Sequence, residues 1–232
     1  MKKYGLVVLF VSSFLLGNAQ SFEVWNTAGA KYKLTKEIQL AASFTSRFSD
    51  FKARTLFPEL TVKYNIAKWA YVSVDYRFVS KREDNGNYLG ANRMNINAKV
   101  KNRHDRWSYA LRIRYQMSSS TGASGSYNSD FDEALRFKPQ LSYDIKNSIF
   151  TPFFALEGFY NPGTGVFGKR IDKFRYTLGT DLEIDGPHEF SFFIRLDQKI
   201  NSNNNRKKYI VGISYQLDLN KLLKGISKKG EL

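Results

Sequence analysis

Residues 70–78 read Ala70-Tyr71-Val72-Ser73-Val74-Asp75-Tyr76-Arg77-Phe78. The even positions Ala70, Val72, Val74, Tyr76 and Phe78 carry apolar or aromatic groups, and Ser73, Asp75 and Arg77 stand between them. A side-chain period of two gives one apolar and one polar face, which suits a β-strand and makes a poor helix.

The same alternation continues along the chain. Met94, Ile96, Ala98 and Val100 alternate with Arg93, Asn95, Asn97 and Lys99, and Trp107, Tyr109, Leu111, Ile113, Tyr115 and Met117 with Ser108, Arg112, Arg114 and Gln116. Leu135, Phe137, Leu141 and Tyr143 repeat it, as do Phe174, Tyr176, Leu178 and Leu182, then Phe190, Phe192, Ile194 and Leu196, then Tyr209 to Leu219. These runs span about 10–13 residues, whereas a tilted strand needs about 9–11 to cross hydrocarbon and a soluble strand is usually nearer five or six. Trp107, Tyr115, Tyr143, Phe150, Tyr160 and Tyr176 fall toward the ends of apolar faces, as interfacial aromatic belts require.

Connections alternate in length. Tight polar turns are expected near Thr35–Glu37, Asn65–Lys68, Arg103–Asp105, Lys146–Ser148 and Asp185–His188, and longer loops near Ser49–Ala53, Lys81–Gly90, Ser118–Asp132, Asn161–Arg170 and Asn201–Arg206. Short turns at one end and long loops at the other describe an up-and-down meander of the outer-membrane kind. Pro58 and Pro139 interrupt two runs and are expected to mark bulges, because proline cannot donate to a ladder. Counting from Ile38 gives ten strands with both termini at the short-turn, periplasmic end. Phe22–Leu34 is then either a strand-like piece entering the lumen or, bent at Ala28-Gly29-Ala30, a hairpin that makes twelve. The expected fold is all-β: an antiparallel up-and-down transmembrane β-barrel of about 10–12 strands.

Composition narrows the chemistry. The chain has 232 residues, no cysteine and two histidines, with 36 Lys+Arg against 21 Asp+Glu. That excludes disulfides, thiol nucleophiles, cysteine zinc sites and a cysteine-linked lipid anchor. Lys2 and Lys3, the apolar run Leu6–Leu16 and the small residues Gly17-Asn18-Ala19 read as a secretory signal cleaved before Gln20. The expected organisation is a signal peptide over 1–19, a barrel over 20–219 and a basic periplasmic tail over 220–232. Losing Lys2 and Lys3 takes the formal charge from +15 to +13. A basic exported protein calls for anionic company: outer-membrane lipid, lipopolysaccharide or small anionic solutes, and not nucleic acid.

With the polar face turned inward, the lumen receives Arg77, Arg93, Arg112, Arg114, Arg136, Arg175 and Arg195, together with Arg47 and several lysines. Its carboxylates are Glu59, Asp75, Glu157, Asp181, Glu183 and Asp197, joined by Asp144 and Asp218. The positive excess points to an anion-favouring pore or pocket, with Arg112, Arg114, Arg136 and Arg175 as its polarising group. The opposing reading is a salt-bridged plug that only stabilises the barrel.

An enzyme is the competing class. Outer-membrane hydrolases need a base near the outer rim, yet His104 and His188 both fall in short-turn segments. Ser118-Ser119-Ser120 and the acidic group Asp130, Asp132 and Glu133 lie at the other end. No catalytic residue, metal ligand or cofactor is assigned. A lipid-modifying enzyme and a soluble periplasmic lipid-binding barrel stand as alternatives to a narrow channel or structural barrel.

Phe22-Glu23-Val24-Trp25, Arg112-Ile113-Arg114-Tyr115, Phe154-Ala155-Leu156-Glu157-Gly158-Phe159-Tyr160-Asn161 and Phe174-Arg175-Tyr176-x-Leu178-Gly179 resemble the DUF2490 proteins of Bacteroidetes-type bacteria. The resemblance runs from Phe22 to Leu219. It implies an outer-membrane barrel of a Gram-negative cell and carries no catalytic residues. Gly212, Tyr215 and Leu217 also look like a barrel-insertion signal, with Ile210 where a polar residue is expected.

Overall fold

The computed structural model describes residues 21–120, 133–163, 169–200 and 207–229. Among them eleven strands close into one barrel: β1 (Ser21–Lys33), β2 (Ile38–Ser49), β3 (Lys52–Ala67), β4 (Ala70–Arg82), β5 (Tyr88–His104), β6 (Trp107–Ser120), β7 (Glu133–Tyr143), β8 (Phe150–Asn161), β9 (Arg170–Leu182), β10 (His188–Lys199) and β11 (Lys207–Asp218). Consecutive strands pair antiparallel. The circle closes where β1 lies parallel to β11, from Ser21 beside Lys208 to Lys31 beside Asp218. The expected signal peptide lies outside the described residues.

β1 therefore belongs to the wall, neither loose in the lumen nor folded into a hairpin. Its own alternation explains this: Glu23, Trp25, Thr27 and Lys31 share the inward parity, and Phe22, Val24 and Ala28 the outward one. Gly29, read as part of a bend, instead lets β2 come close, since a Cβ there would lie 2.7 Å from the Ala42 carbonyl oxygen. An odd count also separates the ends. The described chain enters at the long-loop end and leaves at the short-turn end, which corrects the expectation of two termini on one side.

The short connections span 34–37, 68–69, 105–106, 144–149 and 183–187. At the opposite end, the expected long loop near Ser49–Ala53 is a two-residue turn, Asp50-Phe51, with φ of 52° and 57°. Positive φ at both positions matches the twist of the flanking strands, as in a type I′ hairpin. The prolines do not make bulges either. The β3–β4 ladder skips Phe57 and Pro58 and resumes in the same register at Glu59↔Arg77, and β7–β8 likewise skips Lys138 and Pro139. Each proline costs its ladder bonds on one side only, and Pro58↔Phe44 and Pro139↔Leu111 hold the other. The register shifts fall elsewhere, at Arg47/Phe48, Asn65/Ala67 and Phe159/Tyr160.

Alternation fixes which face each side chain takes. Val74, Tyr76, Met94, Ile96, Leu111, Ile113, Phe154, Leu178, Phe192 and Ile194 are exposed on the outside, while Ser73, Asp75, Asn95, Asn97, Arg114, Gln116, Arg136 and Glu157 are buried inside. The barrel is thus apolar outward and polar inward, the reverse of a water-soluble protein. Trp107 packs on Tyr143 at 4.7 Å between ring centroids near the short-turn end, with Trp69 and Phe150 exposed beside that rim.

After β11 the chain forms a helix, α1 (Leu219–Lys229). The Asp218 carboxylate accepts from the backbone N–H of Asn220 at 3.1 Å and of Lys221 at 3.2 Å, capping the first turn. Asn220 accepts from the Lys33 N–H at 2.6 Å and donates to the Lys33 carbonyl at 3.1 Å, which fastens the helix to the end of β1. Leu223 and Ile226 remain 56% and 60% exposed. That leaves an uncovered apolar stripe beside Lys221 and Lys224.

Candidate functional site: the barrel interior

Inward residues from nearly every strand meet around a cavity of about 1040 Å³. It opens at the long-loop rim, where Asp50, Arg54, Arg82, Glu83 and Asp84 line it, and descends to Arg112, Lys138 and Glu157. Among the described residues fourteen basic and seven acidic side chains line it, a positive excess of seven.

Glu157 lies at the cavity's foot, buried, and is the hub of its charge network. Arg112 Nη2 reaches it at 2.6 Å, Arg136 Nη2 at 2.9 Å and Arg175 Nη1 at 3.9 Å. Asp197 holds Arg175 through two hydrogen bonds of 2.6 Å and has Lys173 at 3.6 Å. Asp75 takes Arg114 at 2.9 Å and an Asn97 N–H at 3.0 Å, and Glu59 pairs with Arg77. Contacts such as Arg112 on β6 to Glu157 on β8 bridge across an intervening strand. The guanidinium neighbours of each carboxylate supply hydrogen-bond donors as well as opposite charge, which offsets the cost of burial.

The four arginines expected to polarise the lumen are thus all engaged: Arg112, Arg114, Arg136 and Arg175 each hold a carboxylate. Of the other basic candidates, Arg77, Arg93 and Arg195 line the cavity, with Arg93 Nε donating to Ser118 Oγ at 3.0 Å. Of the acidic ones, Glu59, Glu157 and Asp197 line it, Asp75 is buried under Arg114, and Asp181 lies on β9 toward the short-turn end. Glu183 is at the short-turn mouth of the barrel. It sits past the end of β9, exposed in the turn, and accepts from Thr151 Oγ1 at 2.8 Å.

A second set of contacts is aromatic. Arg47 stacks on Trp25 with its guanidinium carbon 3.8 Å from the ring centroid, Arg195 on Phe193 at 3.6 Å and Arg136 on Phe159 at 4.3 Å. Arg175 and Arg195 also approach Trp25, at 5.1 and 5.3 Å. A cation over an aromatic face gains about 0.5–2 kcal/mol, more when desolvated. Trp25, Phe57, Phe159 and Phe193 are absent from the sequence-based site, yet their parity held the signal: Trp25 alternates in step with Glu23 and Thr27, and Phe159 with Glu157.

The profile of the family described as "Protein of unknown function (DUF2490)" matches residues 22–209, from the second residue of β1 into β11. The chain belongs to the DUF2490 family. In this DUF2490 barrel the matched segment supplies nearly the whole cavity wall and leaves α1 outside. Among solved structures, a KdgM porin aligns with 80% of this chain and 87% of its own, at 12% identity and a TM-score of 0.46. No curated protein matches the sequence.

The residues weighed for an enzyme are not brought together. His104 and His188 lie at short-turn ends of β5 and β10, with His188 Nδ1 2.9 Å from the Tyr215 hydroxyl, while Ser118 is at the far end of β6. Asp130 and Asp132 lie outside the described residues. Among the described residues no three His, Asp or Glu side chains are grouped to hold a metal ion.

Proposed function

We propose that this DUF2490 protein is a non-enzymatic outer-membrane barrel whose interior is a narrow, anion-favouring conduit entered from the long-loop end. The positive excess lining the cavity carries the anion preference: a cleft with low-dielectric walls concentrates counter-ions. The outward wall supports the membrane setting. Burying a Val, Leu, Ile or Phe side chain is worth about 1.5–3 kcal/mol, so an exterior of such residues is stable against hydrocarbon and costly against water. Outer-membrane lipid and lipopolysaccharide are then its natural partners. At the short-turn rim, Lys221 and Lys224 of α1 are placed to meet anionic headgroups while Leu223 and Ile226 enter the acyl boundary.

The crossed ion pairs around Glu157 favour a second reading, in which the floor stays shut and the cavity only receives an anionic ligand from one side. Planar-bilayer recording under a potassium chloride gradient separates the two. A steady current whose reversal potential has the anion-selective sign is the expected result. A cation-selective current overturns the anion preference, and a folded, heat-modifiable barrel without conductance overturns the conduit in favour of the one-sided pocket.

A further inference from the structure

The lumen's cations divide into two kinds. Arg77, Arg112, Arg114, Arg136 and Arg175 each have a carboxylate at ion-pair distance. Arg47 and Arg195 have none among the described residues, and the buried Nε of each has no hydrogen-bond partner. Both guanidinium groups approach one ring, Trp25, with Arg47 at 3.8 Å and Arg195 at 5.3 Å from its centroid; the third guanidinium there, Arg175 at 5.1 Å, is already held by Asp197. Both line the cavity.

The ring they share is held in place. Trp25 Nε1 donates to Glu23 Oε2 at 2.7 Å, and the other Glu23 oxygen takes Lys208 Nζ at 2.7 Å. Arg47 also lies over Phe57 at 4.9 Å, so an aromatic face packs on each of two sides of it. Arg195 is fixed on Phe193, whose ring fills the space over Gly212 left by the missing side chain. Stacking orients a guanidinium without using its N–H fork, and it does not neutralise its charge. Two guanidinium groups beside one ring, both lining the cavity, each with an Nε that lacks a partner and neither with a carboxylate at ion-pair distance, favour an anion alongside them.

We infer that Arg47 and Arg195, set on Trp25, form a discrete binding site for a small oxyanion, a carboxylate or phosphoryl group. This rests on the anion-favouring interior proposed above and narrows it to one place. The ion-paired arginines below serve as the floor of that site, and the two stacked ones as its ligands.

Trp25 itself is the reporter. In a Trp69→Phe/Trp107→Phe background it is the remaining tryptophan of the three in the chain, and its fluorescence can be followed in the folded, detergent-held barrel during titration with inorganic phosphate or with acetate. A saturable change is expected, with phosphate binding tighter if the natural group is phosphoryl and acetate if it is carboxylate. Arg47→Gln/Arg195→Gln should weaken it at least tenfold. Arg54→Gln/Arg82→Gln, which removes the same charge from the rim, should weaken it by about threefold at most, through the field alone, if the site rather than the overall field binds. Arg47→Lys/Arg195→Lys keeps the charge and loses the fork; it should fold and still bind at least fivefold more weakly, which guards against a misfolded glutamine variant. No saturable signal, or equal weakening in the rim variant, overturns the site. Because this titration needs no current, a null result beside an anion-selective reversal potential removes the site and leaves the conduit, and binding without conductance does the opposite.

Discussion

Arg112 on β6 reaches past β7 to place Nη2 2.6 Å from Glu157 on β8, and Arg136, on the strand between, donates to the same oxygen through Nε at 3.0 Å. One carboxylate therefore ties three strands from within. Glu157→Gln would leave the buried Arg136 and the half-buried Arg112 without their counter-charge. Removing one partner of a buried pair costs about 3–5 kcal/mol. Urea unfolding of the detergent-held barrel should show a loss in that range, whereas Glu183→Gln, in the exposed turn, should change stability by less than about 0.5 kcal/mol.

Gly212→Ala is a packing test inside the same lumen. A Cβ at Gly212 would sit 2.1 Å from Phe193 Cζ, so the ring must move, and with it the surface on which Arg195 rests. Overpacking of this kind costs about 1–3 kcal/mol. The variant should unfold at lower urea and bind phosphate more weakly in the Trp25 titration. Unchanged affinity would mean that Phe193 does not position Arg195.

The exterior should respond to charge according to depth. Ile96 lies midway along β5 on the outward face, and Ile149 lies in the short-turn connection before β8. An arginine at mid-membrane costs about 2–4 kcal/mol and one near the interface about 0–1. Folding into lipid vesicles should therefore be impaired by Ile96→Arg in that range and hardly at all by Ile149→Arg. Equal effects would mean that the wall does not face hydrocarbon.

For α1 the comparison is lipid charge. In vesicles containing anionic lipid, backbone amides of residues 222–226 should exchange slowly, and Leu223→Asn/Ile226→Asn should raise their exchange rates at least tenfold while the strands stay protected. Zwitterionic vesicles should give an intermediate rate. No difference among the three would leave α1 off the membrane surface.

Strand identity and face were legible because a two-residue period survives in most wall strands, from Ala70–Phe78 to Tyr209–Leu217, whereas the tight turn at Asp50-Phe51 breaks the expected rhythm of connections. The basic interior was legible for the same reason. Three things were not. Strand parity around the whole barrel depends on whether Phe22–Lys33 joins the sheet, which is decided by pairing with β11, nearly the full chain away. Which arginines are neutralised depends on contacts such as Arg112 to Glu157 that skip a strand and leave no mark on local spacing. The inward aromatics carry a local signal in their parity beside Glu23 and Glu157, but an aromatic residue suits a lipid-facing wall equally well, so residue type alone does not separate the two faces. Pro58 and Pro139 misled in the other direction, since a proline needs a bulge only when both flanking ladders would lose a bond, and here each keeps one.

The parallel meeting of β1 and β11 sets an order of events. Each hairpin can form as soon as its two strands exist, at the entropic cost of a loop of at most about a dozen residues. The seam joins residues as far apart in sequence as Ser21 and Lys208, and so has the highest sequence separation in the molecule's wall. Until Lys207–Asp218 has been made and delivered, β1 keeps one bare edge, and Trp25 lacks both Gly212 beside it and the Lys208 that steadies Glu23. Closing the barrel and completing the oxyanion site are therefore one step, and it is the last one.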